Sequence, residues 1–455
     1  MADRRRRLVV VGGVAAGMSA ASRARRRDPD LEIVAYEASS HVSYGSCGLP
    51  YLISGQVRRP EDLVVVTPER FKSERNILAL TRHEVLAIDP WGRTVTVRDP
   101  SGSTFKTEYD VLVLSTGGRA SRPPVPGADL TGVFTLRTLD DGIALLEYLR
   151  GHAPRRAVIV GAGYIGVEMA EAFRTIGLEV AVVEMLPRPL SNFDPDLSEL
   201  ARAEMERNGV ALYFGEPLQA LEGDVRVRRV VTPSRTLDAD LVLFAGGVRP
   251  AATLARDAGI ALGPTGAVQV TARMETNVPG IYAAGDVAEV HHLLSDRPAY
   301  IPLGSTANKQ GRVAGENAAG GDATFPGVVG TAVLKAFGLE LARTGLSTDE
   351  ARQAGFDPVS AVVRHGSRAH YYPGGGRITV KVIADRQSGR LLGAQMAGPE
   401  GVAKRIDIFA TALHARMTPE EVAELDLSYA PPFAPVWDPV LVAARAAVKE
   451  LGGSD

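Results

Sequence analysis

The chain contains the same strand–glycine turn–helix–strand unit twice, and this duplication constrains the fold more than any other feature. The first unit spans residues 8–37 and the second spans 157–184, and each ends on an acidic residue, Glu37 or Glu184. The acid follows the first glycine of its unit at roughly the 20-residue spacing of a dinucleotide-binding βαβ unit. The sequence therefore predicts an α/β protein with two Rossmann-like domains built on parallel sheets.

Each glycine turn has the residues that hold a pyrophosphate at a helix N-terminus. The first glycine permits a tight turn, the last lets helix and strand touch, and the terminal carboxylate accepts ribose hydroxyls. Val14 replaces the middle glycine of the strict pattern in the first unit. The predicted dinucleotide-binding residues are Gly12, Gly13, Ala15, Ala16, Gly17, Glu37 and Ala38 in the first unit and Gly161, Gly163, Tyr164, Ile165, Gly166 and Glu184 in the second.

The acidic end of the second unit bears on the choice between NADH and NADPH. A carboxylate at Glu184 favours the free 2′-hydroxyl of NADH and repels a 2′-phosphate. Arg188 follows shortly afterwards and could soften that preference. The sequence therefore favours NADH and leaves NADPH open.

Composition argues against several classes of protein. The 455 residues carry a formal net charge of −2, which gives no overall bias towards nucleic acid or an anionic membrane. No apolar run reaches the ~18 residues of a membrane span, and no signal-peptide pattern precedes the first strand. We therefore expect a cytoplasmic protein that binds neither nucleic acid nor a membrane. The eight histidines are scattered, so we expect no metal site.

Cys47 is the only cysteine, and it lies in the segment Ser43-Tyr44-Gly45-Ser46-Cys47-Gly48-Leu49-Pro50. A lone thiol cannot form an intramolecular disulfide, so redox chemistry requires a sulfenic acid or a bond to a sulfur from outside the chain. A free cysteine is often a buried hydrophobe, but the polar, glycine-flanked segment favours an accessible thiol. We therefore predict that Cys47 is catalytic.

Several motifs together resemble the pyridine nucleotide–disulfide oxidoreductase superfamily over residues 8–440. Besides the two glycine units, the segment 276–286, which ends at Asp286, is similar to the second flavin-binding motif of such flavoproteins. The branch with a CxxxxC pair does not fit, because Val42 and Leu52 occupy the two possible partner positions. The resemblance implies an FAD domain at 1–150 that resumes at 251–324, an inserted NAD(P) domain at 151–250, and an α+β dimerisation domain at 325–455.

The segment around Cys47 is similar to the single-cysteine branch of this superfamily, which contains coenzyme A-disulfide reductases, NADH oxidases and NADH peroxidases. Peroxidases and water-forming oxidases carry a histidine in the first glycine turn, where this chain has Ala15. This difference favours the CoA-disulfide group. Trp437 stands where the family can place a basic residue against CoA, so another substrate or looser binding stays open.

The resemblance also implies roles for individual residues. It implies a homodimer in which Tyr429 and either Tyr371 or Tyr372 of one subunit reach the thiol of the other. Besides the first glycine turn, it places Ser43, Val85, Ser115, Thr116, Gly117, Asp286 and Phe433 at FAD. It places Tyr164, as an aromatic gate, with Glu168 and Gly247 at the nicotinamide, and it places Ser19, Arg23, Arg26, Ser43, Ser46, Arg75 and Asn308 along a CoA channel.

The implied reaction is the reduction of CoA disulfide by NAD(P)H through FAD and a Cys47–S–S–CoA mixed disulfide. We expect a helix that begins near Gly48, together with the flavin, to depress the pKa of the Cys47 thiol. Two alternatives within the same family are an NADH oxidase that passes electrons to O₂ and a reductase of related low-molecular-weight disulfides or persulfides. A flavin-containing electron carrier is a third, although such a carrier would not need Cys47.

Overall fold

Three five-stranded sheets organise the protein, and the computed structural model describes residues 5–452. The first part of the chain contains β1 (Arg7–Val11), α1 (Ala15–Arg27), β2 (Glu32–Glu37), α2 (Leu49–Ile53), α3 (Pro68–Arg75), β3 (Ile77–Thr81), β4 (Glu84–Asp89), β5 (Thr94–Arg98), β6 (Thr104–Glu108), β7 (Val111–Leu114) and β8 (Gly118–Ala120), with 3₁₀ turns at Ser46–Gly48 and Pro60–Leu63. The middle part contains β9 (Val133–Thr135), α4 (Leu139–His152), β10 (Arg156–Val160), α5 (Tyr164–Thr175), β11 (Glu179–Glu184), α6 (Pro195–Arg207), β12 (Val210–Phe214), β13 (Ala220–Glu222), β14 (Arg229–Val231), β15 (Thr236–Asp238) and β16 (Leu241–Phe244).

The remaining elements complete the first sheet and form a third one. They are β17 (Val248–Pro250), α7 (Thr253–Asp257), β18 (Ile281–Ala283), β19 (Val290–His292), β20 (Arg297–Ala299), α8 (Gly304–Ala318), β21 (Ala332–Ala336), β22 (Leu339–Gly345), α9 (Thr348–Ala354), β23 (Pro358–Gly366), β24 (Arg377–Asp385), β25 (Leu391–Gly398), α10 (Val402–Ala415), α11 (Pro419–Ala423) and α12 (Pro439–Glu450). None of the helices within residues 5–452 is both long and apolar enough to cross a bilayer.

The first sheet is parallel, in the order β18-β7-β1-β2-β3. Its central strand β1 pairs Leu8 with Ile33 on one side and with Val111 on the other. These strands are apolar throughout because helices or further strands cover both faces of a parallel sheet. The order brings the carboxyl ends of β1, β7 and β18 side by side, which is where such sheets bind ligands.

The second sheet is also parallel and has the order β12-β11-β10-β16-β9. Its strand β9 lies before residue 150, and the predicted domain boundary at 150 falls within α4. The two glycine-turn helices begin at Ala15 and Tyr164. The first turn of each helix is formed by the residues of the glycine turn itself, which carry little periodic hydrophobicity.

The third domain is α+β, as predicted, with an antiparallel sheet in the order β21-β22-β25-β24-β23. Alternate positions of β24, such as Ile378, Val380 and Val382, are fully buried. They share one hydrophobic cluster with Ile406 and Phe409 of α10. The helices α10 and α12 therefore cover this sheet. Other elements of the third domain contact the two nucleotide-binding domains.

Helices α1 and α8 approach each other so closely that only glycine fits at two positions of α8. A Cβ atom built on Gly311 would lie 2.3 Å from the carbonyl oxygen of Ala16, and one built on Gly315 would lie 2.1 Å from that of Ala20. Both obstructions are backbone atoms, which cannot rotate away. This contact joins the two sequence-distant halves of the first domain.

We predict that Gly315→Ala lowers the free energy of unfolding by about 1–3 kcal/mol, because the added methyl group forces α1 and α8 apart. Gly304→Ala is the matched control on the same helix, since a Cβ there meets nothing within 4 Å. Thermal unfolding of both variants measures the effect. Equal melting temperatures for the two variants would contradict the close approach.

Candidate functional site

The first glycine turn brings together residues from three strand ends. A Cβ on Gly12, whose φ is +101°, would lie 2.2 Å from the carbonyl oxygen of Ser115, and a Cβ on Gly17 would lie 1.8 Å from that of Gly12. The Ser115 hydroxyl donates to the carbonyls of Val11 and Gly12, at 2.9 Å each. The N-terminus of α1 is thus held against β1 and β7, which leaves its backbone N–H groups pointing at the strand ends.

Glu37 lies where a ribose-binding carboxylate is expected. Its carboxylate is buried and accepts hydrogen bonds from the backbone N–H groups of Gly13, at 2.6 Å, and Ser39, at 2.8 Å. Ser43 adjoins the same turn, because its N–H donates to the carbonyl of Gly13 at 2.9 Å. Ser43 therefore links the glycine turn to the segment that carries Cys47.

Asp286 follows β18 at the same edge of the sheet and forms an ion pair with Arg137. Burial raises the pKa of Asp286, and the Arg137 charge opposes that rise. The buried hydroxyl of Tyr300 lies beside this pair and has no hydrogen-bond partner within residues 5–452. Sequence reasoning missed Arg137 and Tyr300, since neither belongs to a motif.

These groups fit a flavin dinucleotide. The turn offers N–H groups for a pyrophosphate, Glu37 offers a ribose acceptor, and Tyr300 offers an unused buried hydroxyl next to Asp286. The structure places the other predicted FAD residues as follows: Ala15 and Ala16 in the first turn of α1, Ala38 exposed after β2, Val85 buried in β4, Thr116 and Gly117 after β7, and Phe433 exposed on the third domain.

The second glycine turn repeats this geometry around β10. A Cβ on Gly161 would lie 2.6 Å from the Ala245 carbonyl, and one on Gly166 would lie 2.0 Å from the carbonyl of Gly161. Glu184 accepts the Ala162 N–H at 2.7 Å. Gly163 precedes α5, Tyr164 and Ile165 begin it, and Gly247 is exposed beyond the neighbouring strand β16. The turn therefore fits a second dinucleotide, and Glu184 lies where a ribose-binding carboxylate is expected.

Cys47 is exposed in the 3₁₀ turn Ser46–Gly48 that leads into α2. The N–H of Gly48 donates to the Gly45 carbonyl at 3.0 Å, which closes the turn. Leu49, Leu52 and Ile53 of α2 share a hydrophobic cluster with the apolar face of α5. This packing sets the thiol beside the helix that begins at the second glycine turn.

The expectation of a depressed thiol pKa is not met by the polypeptide. The Cys47 side chain reaches solvent, but partial desolvation raises its pKa, with a further rise from the carboxylate of Glu168. Arg137 opposes the rise. Helix α2 does begin after Gly48, as predicted, but it has only five residues and therefore a weak dipole.

Glu168 lies one turn into α5, and its own pKa is raised to about 7 by burial and by the nearby Glu171. Glu171 is paired with Lys335 of the third domain. Tyr51 lines the same cleft, and its pKa is raised by burial and by Glu168. Glu168 is therefore a carboxyl group that titrates near neutral pH next to the only thiol.

The residues predicted for the CoA channel lie mainly on α1 and α8, with Arg75 at the end of α3. Ser19 donates to Asn308 at 2.6 Å across the two helices, and Arg75 donates to Ser22 at 2.8 Å. Arg23 is paired with Glu316 at 2.6 Å, so its charge is already partly neutralised. Ser46 lies apart from these residues, in the turn of Cys47.

Arg312 of α8 is a further positive charge near these residues, and sequence reasoning missed it. Burial lowers the pKa of Arg26, and the positive charges of Arg23, Arg75 and Arg312 lower it further. Mutual repulsion of this kind favours an anionic ligand, because its charge would relieve the repulsion. No sequence pattern indicates that Arg312 lies near α1, because α8 and α1 are far apart along the chain.

The tyrosines predicted to act in catalysis are exposed on the third domain. The hydroxyls of Tyr371 and Tyr429 are 3.0 Å apart, and this hydrogen bond raises the pKa of Tyr429. The ring of Tyr372 instead lies 6.0 Å from the Arg368 guanidinium. Phe433 and Trp437 are exposed on the same domain. The structure therefore pairs Tyr429 with Tyr371.

Two family descriptions match the chain. Residues 6–311 match the family described as "Pyridine nucleotide-disulphide oxidoreductase", and residues 331–439 match the dimerisation domain of the same family.

Three curated relatives align over nearly the whole chain. An "NAD(P)H coenzyme A polysulfide/persulfide reductase" of Pyrococcus horikoshii is 40% identical, with 97% of this chain and 98% of the relative covered. An "NADH oxidase" of Methanocaldococcus jannaschii is 38% identical, with coverage of 98% and 99%. A "Coenzyme A disulfide reductase" of Staphylococcus haemolyticus is 33% identical, with coverage of 94% and 96%.

The fold is also that of a solved structure from Bacillus anthracis, described as reduced "CoADR-RHD". The two superpose with a TM-score of 0.96 at 36% identity, over 99% of this chain and 81% of the other.

We predict that Glu168→Gln accelerates alkylation of Cys47 by iodoacetamide by a factor of about two to ten above pH 8, because it removes a negative charge that raises the thiol pKa. Below pH 6, where Glu168 is protonated, variant and parent should react alike. Glu179→Gln, at an exposed position of the same domain, is the control. A rate difference independent of pH would contradict the electrostatic coupling.

Proposed function

The chain belongs to the pyridine nucleotide–disulphide oxidoreductase family, and we propose that it reduces CoA disulfide with NAD(P)H through the single thiol of Cys47. The observation that carries the proposal is the exposure of this only cysteine in a turn packed against the nicotinamide-site helix. An accessible lone thiol is suited to a small disulfide that brings its own second sulfur. The names of the relatives from Pyrococcus and Staphylococcus support a substrate of the CoA type.

FAD and NAD(P)H are the cofactors of this family. When bound, they supply a hydride and thereby the electron pair that reduces a disulfide at Cys47. The first glycine turn with Glu37 and Asp286 would hold FAD, and the second with Glu184 would hold NAD(P)H. The thiol-bearing segment packs on α5, the helix that begins at the second glycine turn.

The thiol chemistry balances with one cysteine. The Cys47 thiolate attacks one sulfur of CoA disulfide, the substrate S–S bond breaks, one CoA leaves as a thiolate, and a Cys47–S–S–CoA bond forms. Two electrons then break this mixed disulfide, which frees the second CoA and restores the thiolate. The substrate therefore provides the second sulfur that a second cysteine provides in a CxxxxC pair.

The third domain would supply the proton. The Tyr371–Tyr429 hydrogen bond keeps Tyr429 protonated at neutral pH, so its hydroxyl can protonate a departing CoA thiolate. Both tyrosines are exposed in the single subunit, while the matched dimerisation domain supports assembly of two. We therefore propose a homodimer in which the partner's tyrosines complete the active site.

Arg26, Arg75 and Arg312 would bind the CoA phosphates. Arg26 and Arg312 form no ion pair within residues 5–452, so both charges are free for an anion. Arg75 of α3 donates a hydrogen bond to Ser22 of α1. Repulsion among these guanidinium groups in the free protein is relieved when phosphate binds.

Two related activities are second candidates. The Pyrococcus relative is named for polysulfide and persulfide, whose terminal sulfur could be transferred to the same thiol. The Methanocaldococcus relative is named as an NADH oxidase, an activity that does not require a thiol to bind substrate. The mass of the untreated protein distinguishes these, because a CoA adduct on Cys47 would identify the thiol substrate.

Cys47→Ser should lower CoA-disulfide reduction by at least about a thousandfold, because a serine hydroxyl is not a comparable nucleophile. Reduction of the flavin by NADH and the slow reaction with O₂ should persist. Stopped-flow spectra with and without CoA disulfide measure both. Retention of disulfide turnover in this variant would refute the proposed mechanism.

Tyr429→Phe should lower disulfide turnover by about a hundredfold or more, the usual contribution of a proton donor, and Tyr371→Phe should lower it in the same direction. The rate of flavin reduction by NADH should change little. Tyr372→Phe is the discriminating comparison, because this residue does not contact Tyr429 through its hydroxyl. A larger loss for Tyr372→Phe than for Tyr371→Phe would show that the pair is assigned wrongly.

A further inference from the structure

Two irregular segments of the third domain carry the paired tyrosines. The tyrosine loop, residues 367–376, joins β23 to β24 and carries Tyr371, and the C-terminal segment, residues 429–438, precedes α12 and begins at Tyr429. Neither segment contains a helix or a strand. Contacts outside regular secondary structure must therefore fix the position of each tyrosine.

The tyrosine loop is closed at its base. The N–H of Ser367 donates to the carbonyl of Gly376 at 2.8 Å, and the N–H of Gly376 donates to the Ser367 hydroxyl at 2.9 Å. That hydroxyl donates in turn to the carboxylate of Glu400 at 2.6 Å, and Ser367 is buried. The base of the loop is therefore held in place, whereas Tyr371 is exposed.

The direct contacts between the two segments are weak. The N–H of Ala369 donates to the carbonyl of Pro431 at 3.3 Å, and the hydroxyls of Tyr371 and Tyr429 are 3.0 Å apart. The first of these hydrogen bonds is long, and the second joins two exposed side chains. Because water competes for exposed hydrogen-bonding groups, these contacts add little to the free energy that holds the segments together.

A buried arginine joins the two segments. The Nη2 atom of Arg405, in α10, donates to the carbonyls of Ser367 and Phe433, at 3.0 Å each. The Nε atom donates to the carboxylate of Asp438 at 2.9 Å, and the Nη1 atom donates to the carbonyl of Gly401 at 3.3 Å. One guanidinium thus bridges the base of the tyrosine loop and the middle of the C-terminal segment.

Both carbonyls that Arg405 holds lie in or close to a tight turn beside a tyrosine. The N–H of Phe433 donates to the carbonyl of Ala430 at 2.9 Å, and this turn follows Tyr429 directly. In the tyrosine loop, the N–H of Tyr372 donates to the carbonyl of Ala369 at 2.9 Å, and this turn contains Tyr371. A displaced guanidinium would therefore move both turns.

Arginine is suited to this place because its planar fork presents several N–H groups in fixed directions. Asp438 is buried as well, so loss of the guanidinium would leave its carboxylate unpaired in the interior. A lysine ammonium could pair with Asp438, but it could not donate along the same directions to Ser367 and Phe433.

We propose that Arg405 is a positioning residue that sets the Tyr371–Tyr429 pair in the geometry needed to protonate the departing CoA thiolate. The inference rests on the proposed function, since that function assigns proton donation to the pair. Arg405 acts through the backbone of the two segments and takes no part in the chemistry.

The first test is steady-state reduction of CoA disulfide by the holoenzyme. Arg405→Lys should lower kcat by up to about a hundredfold, the loss that a misplacement of about 1 Å can cause. The KM for CoA disulfide and the rate of flavin reduction by NADH should change little, because neither depends on the proton donor. An unchanged kcat, or an equal loss in flavin reduction, would overturn the proposal.

A double-mutant cycle asks whether Arg405 acts through Tyr429. Arg405→Lys should cause no further loss in a Tyr429→Phe background, because the hydroxyl that it positions is gone. Arg343→Lys is the matched control, since Arg343 is also buried in the third domain but is paired with Glu350. Tyr429→Phe should keep its full effect in that control. Additive losses for Arg405→Lys and Tyr429→Phe would contradict the positioning role.

Asp438→Asn is a milder second variant if Arg405→Lys does not fold. The Asp438 side chain also caps α12, where it accepts the N–H of Val440 at 2.9 Å, and an asparagine keeps this cap. The substitution removes the charge that orients the guanidinium, so it should lower kcat in the same direction and by less. Parent-like kcat in Asp438→Asn would count against the proposal as it would in Arg405→Lys.

Nitration by tetranitromethane reports on the tyrosine pair without any disulfide substrate. The reagent attacks the phenolate, and the hydrogen bond to Tyr371 raises the pKa of Tyr429, so a looser pair is nitrated faster. In a Cys47→Ser background, which removes the reactive thiol, Arg405→Lys should accelerate nitration of Tyr429, measured by peptide mass spectrometry. It should cause no further acceleration when Tyr371→Phe is present.

The two readouts separate this inference from the proposed function. An unchanged nitration rate in an enzyme whose turnover requires Tyr429 would refute only the positioning role of Arg405. Accelerated nitration in an enzyme whose turnover is indifferent to Tyr429→Phe would refute only the assignment of the proton donor.

Discussion

The close approach of backbone to backbone at the two glycine turns is the constraint on which the rest of the structure depends. A side chain at Gly12 or Gly161 would collide with the carbonyl of the neighbouring strand end, Ser115 or Ala245. Because both positions are glycine and have no side chain, each helix N-terminus lies against its sheet and offers its N–H groups to an anion. Both dinucleotide positions follow from that contact, and the position of the thiol segment follows from the helix that begins at the second one.

Groups around Cys47 shift the pKa of its thiol in opposite directions. Partial desolvation and Glu168 raise the pKa of Cys47, while Arg137, which is also paired with Asp286, lowers it. The polypeptide alone therefore does not activate the thiol. In the proposed enzyme, activation would have to come from the bound flavin or from protonation of Glu168, whose pKa of about 7 lies close to neutral pH. This arrangement couples the state of the nicotinamide-site helix to the reactivity of the thiol.

The third domain is tied to the nicotinamide domain by charged contacts. Lys335 pairs with Glu171 beside the thiol cleft, and Arg343 and Lys381 hold the loop that follows Glu184. The contacts of Arg343 and Lys381 are buried, so removing one partner there is costly. In the proposed dimer, the domain that carries the exposed tyrosines would therefore also stabilise the geometry of the nicotinamide side.

The sequence by itself determined the two βαβ units, the α+β third domain and the fact that Cys47 is the only cysteine. Glycine spacing, apolar strands and a cysteine count can be read along the chain without knowing which residues meet in space. The tertiary structure alone decided that Arg312 joins the arginines of α1, that Tyr371 and not Tyr372 pairs with Tyr429, and that Arg137 and Tyr300 lie beside Asp286. It also showed that desolvation and Glu168 raise the thiol pKa in the polypeptide alone, while the lowering expected from the flavin stays a prediction. Each of these depends on atoms far apart in the chain meeting in space, and no local pattern records which charge or hydroxyl will arrive there.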